Sequence, residues 1–164
     1  MSTYLQSLRD RDVVRVEMVC LGNICRSPMA AAVLSNRAIE IDAPQIIVTS
    51  SGTSSWHVGE GAHQLSEKVW TRAGYQHSHS VREFQPDHFD QVDLILAMDL
   101  NNQANILKLA QSQEHREKVA MLRSFDPAAD SLEVPDPWGN PIEAYQEVLA
   151  MVEAAVSGLL KTLR

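Results

Sequence analysis

The sequence predicts an α/β fold, a single domain with a parallel sheet flanked by helices. Three observations lead there. Short β-branched apolar runs alternate along the chain with segments whose apolar residues recur at helical spacing, the pattern of strand–helix units in a parallel sheet. The 164 residues suit one domain over 1–164, and a chain of that length buries roughly 70% of its unfolded surface, so it folds without a disulfide or metal. The stripe Tyr145, Val148, Leu149, Val152, Ala155, Val156, Leu159, Leu160 and Leu163 reads as one long amphipathic helix closing the chain.

The elements follow in order. Residues 1–12 contain no apolar run and are expected to form a flexible N-terminal extension, not a signal peptide. Val13 to Val19 is β-branched and apolar and predicts a first strand buried on both faces. A loop over 20–27 precedes Pro28, placed where a helix begins, with Ser27 as its expected N-cap. Met29, Ala30, Val33, Leu34, Ala38 and Ile41 give that helix its spacing. A second strand at 46–48 ends in Ser50-Ser51-Gly52-Thr53. A helix over 61–73 stops at Gly74. A third strand spans 92–98, and Asp99 caps a helix carrying Ile106, Leu107 and Ala110. A short fourth strand is expected at 119–122, then a long loop from Asp126 to Pro141 with four prolines. In such sheets ligands bind beyond the carboxyl ends of the strands.

Composition bounds the function. The net charge of −7 argues against nucleic acid or anionic membrane as a partner. No stretch approaches the ~20 apolar residues of a membrane span. Two cysteines, Cys20 and Cys25, make no disulfide framework, so a reducing compartment, the cytoplasm, is expected, release without a signal peptide staying open. The six histidines show no four-ligand spacing, so no metal or other cofactor is expected.

The loop over 20–27 carries the chemistry. An oxyanion such as phosphate is best held by backbone N–H groups pointing into a concavity at a helix N-terminus. Residues 21–26 contain no proline, so each offers an N–H. Gly22 and Asn23 are the residue types that tolerate the positive φ a loop needs to curl round an anion. Arg26 adds a planar fork matching phosphate oxygens. Cys20 opens the ring of donors, and helix N-termini with a nearby arginine are the setting that favours a reactive thiolate. The Ser27 hydroxyl is placed to donate to the same sulfur. Cys, five residues, Arg, Ser, Pro at a strand–helix junction is far more specific than a lone core cysteine.

The string Val19-Cys20-Leu21-Gly22-Asn23-Ile24-Cys25-Arg26-Ser27-Pro28 resembles the signature of the low-molecular-weight protein tyrosine phosphatases. Ser50-Ser51-Gly52-Thr53, Trp56-His57-Val58-Gly59, His79-Ser80-Val81-Arg82, Asp93 to Asp99 with Asn102, and Pro135-Asp136-Pro137-Trp138 are similar to further family blocks, in the same order. The resemblance implies a four-stranded parallel sheet with helices on both sides and the phosphate-binding loop after strand 1. It also implies hydrolysis of phosphotyrosine and small aryl phosphates through a phosphocysteine on Cys20.

On that resemblance Cys20, Arg26 and Asp136 are the catalytic residues, Asp136 as general acid. Proline on either side of Asp136 restricts its backbone. Leu21, Gly22, Asn23, Ile24, Cys25 and Ser27 are expected at the substrate, with Trp56 and Trp138 as aromatic walls for a phenyl ring. Bulky Ile24 favours an aryl ester over phosphoarginine. Ser50 and His79, with Asn23, are expected to brace the loop. Cys25 is either a redox partner of Cys20 or a small buried residue. Asp99 either orients Arg82 or caps its helix, the cap being preferred. The expected partner is a phosphotyrosine protein, and the loop also fits phosphate and other tetrahedral oxyanions.

Two departures stand out. His63-Gln64-Leu65 replaces the family's Asp-x-Arg, and Gly139 follows Trp138 where some members carry tandem tyrosines. Two rival functions fit the same residues. Thiol-dependent arsenate reduction uses the same fold and loop. A non-catalytic phosphotyrosine-binding module would retain the pocket without turnover.

Overall fold

The computed structural model describes residues 2–164. Four parallel strands form one sheet: β1 (Val13–Cys20), β2 (Gln45–Gly52), β3 (Leu94–Ala97) and β4 (Val119–Met121), in the order β2-β1-β3-β4. β1 lies centrally, its last residue Cys20 level with Gly52 and its Val19 level with Ala97. The chain leaves β1 toward β2 on one side and reaches β3 on the other. The order therefore reverses at the end of β1, where open α/β sheets form their ligand crevice.

The helices are α1 (Thr3–Ser7), α2 (Arg26–Arg37), α3 (Gln64–Arg72), α4 (His88–Gln91), α5 (Leu100–Lys108), α6 (Gln113–Glu117) and α7 (Ile142–Leu163). Alternation along the strands sorts side chains between two cores. Val14, Val16, Met18 and Cys20 face Met29, Val33 and Leu34 of α2, Trp70 of α3 and the stripe of α7. Val19, Ile95 and Ala97 face Phe84, Phe89 and Ile106 on the other side. Both faces of the sheet are thus covered, which is why its strands read as continuous apolar runs.

Several expectations shift. Residues 1–12 were expected to be a flexible extension, but α1 and a following 3-10 turn pack on the domain. Leu8 is fully buried, Tyr4 and Leu5 rest on the same core, and the Tyr4 hydroxyl donates to the Asp93 carbonyl at 2.5 Å. Tyr4, Leu5 and Leu8 fall on one helical edge, too brief to register as a periodic stripe. Ser27 is not the N-cap: α2 begins at Arg26 after Cys25, because the Ser27 hydroxyl is engaged with the loop. β2 runs on through Ser50 and Ser51, whose hydroxyls find buried partners. The short helices α4 and α6 lacked a readable period.

Candidate active site

The loop between β1 and α2 is held from outside. Thr53 N–H donates to the Cys20 carbonyl at 2.9 Å and Ser54 N–H to the Leu21 carbonyl at 3.0 Å. His79 Nε2–H donates to the Asn23 carbonyl at 2.7 Å, and His63 N–H to the Ile24 carbonyl at 2.8 Å. The Ser66 hydroxyl donates to the Cys25 carbonyl at 2.7 Å. With these carbonyls tied outward, the loop's N–H groups are left to the concave side, where an anion would bind. Asn23 N–H already points at Cys20 Sγ, 3.3 Å away.

Two backbone requirements fix this shape. Asn23 takes φ of 56°, a left-handed conformation asparagine tolerates. Gly52 lets the end of β2 pass close behind the loop: a Cβ there would lie 2.7 Å from the Leu21 carbonyl oxygen and 3.1 Å from Asn23. The buried Asn23 amide donates to Ser27 Oγ at 2.8 Å and Ser50 Oγ at 3.0 Å, and its oxygen accepts from Arg82 N–H at 3.1 Å. Asn23 donates to Ser27 Oγ, so the hydroxyl's own proton faces two acceptors, Cys20 Sγ at 3.0 Å and the Ser51 carbonyl at 3.3 Å. Burial holds the His79 imidazole below the usual histidine range despite its bond to Asn23, which fits the neutral ring donating that bond.

Arg26 sits at the loop's end, buried, with one edge of its fork anchored. Its Nη1 donates to Asp99 Oδ2 at 2.7 Å and to the Val134 carbonyl at 3.0 Å, which leaves the Nε–Nη2 edge for an oxyanion. Burial opposes the charge, but the Cys20 sulfur, Asp99 and Asp136 outweigh it and raise the Arg26 pKa. Asp99 also caps α5 in a reciprocal capping box with Asn102. The preferred reading of Asp99 as a cap is correct, but its second partner is Arg26, not Arg82. Nη2 of Arg26 lies 3.8 Å from Asp136 Oδ2, across the mouth of the site. Asp136 is half-exposed, and its other oxygen accepts from Trp138 N–H at 3.2 Å, which ties the carboxylate and the tryptophan together.

A cavity of about 300 Å³ opens over these groups, lined by Cys20, Leu21, Gly22, Ile24, Cys25 and Arg26 below and by Trp56, Asp136 and Trp138 around the rim. The two tryptophans are 71% and 65% exposed, rings standing in solvent with no core to fill. Asn23, Ser27, Ser50 and His79 lie behind the loop and reach one another rather than the cavity. The Cys25 thiol is pushed up to about 12, chiefly by burial, and lies 3.6 Å from the Tyr145 hydroxyl. It is a buried thiol at neutral pH.

Sequence reasoning gave three contributors no individual role. His57 lines the cavity and is paired with Glu60 at 2.5 Å. His63, first residue of the stretch that departs from the family pattern, caps α3: its Nδ1 accepts from Leu65 N–H at 3.2 Å. Its ring also stacks on Tyr145, centroids 5.3 Å apart. The third is Glu17, fully buried in β1 on the face of Val19. It accepts from Ser51 Oγ at 2.9 Å, Thr49 Oγ1 at 3.1 Å and His88 Nδ1 at 2.8 Å, and pairs with Arg82. Arg82 in turn donates through Nε to the Ser50 carbonyl at 3.0 Å. A glutamate inside an apolar strand gives no periodic signal of this partnership.

Burial alone would raise the Glu17 carboxyl; the hydrogen bond and charge of His88 and the charge of Arg82 outweigh it and hold it below the usual range. Its contribution to stability is therefore fully present above the unfolded carboxyl's ~4.3 and is lost as pH falls through the lower native value. Glu17→Gln should cost about 3 kcal/mol at neutral pH, the low end for one partner of a buried pair because Arg82 reaches water. The deficit should shrink as the medium is acidified toward that native value. Denaturant unfolding of both proteins from neutral to acid pH checks this; equal stability at neutral pH, or a gap that does not move with pH, would contradict it.

Comparison with known proteins bears on the whole arrangement. The family model described as low molecular weight phosphotyrosine protein phosphatase matches residues 15–164. A low molecular weight protein-tyrosine-phosphatase of Streptomyces coelicolor is 42% identical over 153 residues, 92% of this chain and 93% of that one. Among solved structures, a protein tyrosine phosphatase from Entamoeba histolytica, with Hepes in its active site, superposes with a TM-score of 0.87 at 31% identity, covering 92% of this chain and 96% of that one. An arginine phosphatase from Geobacillus stearothermophilus superposes with a TM-score of 0.78 at 30% identity, covering 92% of each chain. Match, identity and superposition agree, and the chain belongs to the low molecular weight phosphotyrosine protein phosphatase family.

Proposed function

We propose that this hydrolase acts on phosphotyrosine in proteins and on small aryl phosphates, with Cys20 as nucleophile, Arg26 as phosphate clamp and Asp136 as general acid and base. The observation that carries the reading is the loop whose carbonyls are tied outward around Cys20, beneath a cavity rimmed by Asp136 and two exposed tryptophans. In the first step Cys20 Sγ attacks phosphorus and the bond to the tyrosyl oxygen breaks. Asp136 gives that oxygen its proton, while the loop N–H groups and the free edge of Arg26 hold the equatorial oxygens. In the second step Asp136 takes a proton from water as the water attacks the phosphocysteine. Inorganic phosphate leaves and Cys20 departs as thiolate, receiving a hydrogen bond from Ser27.

An arginine phosphatase among the structural relatives makes substrate class the point to test. Ile24, bulky and apolar, favours a flat phenyl group over a polar guanidinium, while the faces of Trp56 and Trp138 suit either planar group. The free thiols and the chemistry of Cys20 suit a reducing compartment, so the reading includes a cytoplasmic location. The purified protein, without metal, should turn over a phosphotyrosine peptide faster than its phosphoarginine counterpart, with vanadate as competitive inhibitor. Faster phosphoarginine hydrolysis would overturn the substrate assignment. Thiol-dependent loss of arsenate exceeding ester hydrolysis would overturn the reaction class.

A further inference from the structure

A second cavity of about 370 Å³ adjoins the catalytic one and shares two walls with it, Leu21 and Trp56. Its far side is built by Phe84, Asn105, Lys108 and Leu109. Asn105 and Lys108 stand three apart on α5, so they present one face. The cavity is apolar at Phe84 and Leu109 and cationic at its edge, where Lys108 is exposed and makes no ion pair among the described residues. None of these far-side residues enters the chemistry described above.

Resting on the phosphotyrosine reading, we propose that this cavity is a docking subsite for the polypeptide beside the phosphotyrosine, taking an acidic side chain at Lys108 and an aliphatic one over Phe84 and Leu109. Two features select that occupant. The cavity continues the wall of the catalytic pocket through Leu21 and Trp56, within reach of a chain whose phosphotyrosine sits in that pocket. A solvent-facing cation on a chain of net charge −7 is also a local exception to a field that repels acidic peptides. Lys108 lies in the last turn of α5, where any cation also eases the helix dipole. That role affects stability and does not discriminate among substrates.

The test uses one phosphotyrosine peptide sequence with Glu, Ala or Lys placed at each flanking position in turn, against wild type and Lys108→Glu. At one position Glu should exceed Lys in kcat/KM by about fivefold, the size of an exposed ion pair, through KM. The preference should fade at high salt and reverse in Lys108→Glu, while hydrolysis of a small aryl phosphate stays unchanged. The same peptides are titrated onto each protein carrying Cys20→Ser, so that binding is read whether or not turnover occurs. An identical peptide ranking with and without Lys108 overturns the subsite while leaving aryl phosphate hydrolysis, and the function above, intact. A Lys108-dependent ranking in binding with no turnover by the unmodified enzyme supports the subsite and instead removes the phosphatase reading.

Discussion

Replacing Cys20 by serine should abolish turnover, with a loss on the order of 10⁶-fold, as for other covalent hydrolases stripped of their nucleophile. Serine is close in size, so the loop need not rearrange. The outward ties from Thr53, Ser54, His63, Ser66 and His79 involve backbone carbonyls that the substitution does not touch. Arg26 keeps its anchors on Asp99 and Val134. A hydroxyl, however, holds its proton far more tightly than a thiol. Phosphate affinity should consequently hold or rise while hydrolysis disappears, and titration with inorganic phosphate beside a turnover assay separates the two. Retained hydrolysis would deny Cys20 its role; lost phosphate binding would mean the sulfur holds the loop together as well.

The second large effect belongs to Asp136. Asp136→Asn should slow hydrolysis of phenyl-type esters by about 10²- to 10⁴-fold, the range that a positioned acid contributes. Esters with activated leaving groups need little help from a proton and should lose much less. Asparagine retains the oxygen that accepts from Trp138 N–H, so the rim keeps its shape and the pocket its width. The variant also lacks a base for the second step, so with an activated ester the phosphocysteine should accumulate and appear as a burst of released alcohol. Equal losses for poor and good leaving groups would count against proton donation.

Much of this was legible in the sequence, and for physical reasons. The strands sit where β-branched runs sit, since a doubly covered sheet permits little else. The Cys20-to-Ser27 segment is legible because an anion cradle demands particular residue types at fixed positions. The partnerships behind it were less so. Asp99 was readable as a cap through its local spacing to Asn102, yet its bond to Arg26 spans 73 positions and leaves no local trace. Glu17 looked like an interruption in an apolar strand, because Arg82 and His88 arrive from far along the chain. The N-terminal residues looked structureless because one buried leucine and two partial contacts make no period. The cavity beside α5 had no motif at all, being assembled from surface positions of several segments.

The outward-tied loop limits what can be transplanted. Residues 20–27 supply the sulfur, the guanidinium and the N–H groups, but their curl is imposed by Gly52, Thr53, Ser54, His63, Ser66, His79 and Arg82. Grafted onto another strand–helix junction, the octapeptide would carry every reactive atom and no mould. The portable unit is the loop with the end of β2, the start of α3 and the segment around His79, a module discontinuous in the chain and contiguous only once folded. An engineer copying this chemistry would have to copy the neighbourhood before the nucleophile.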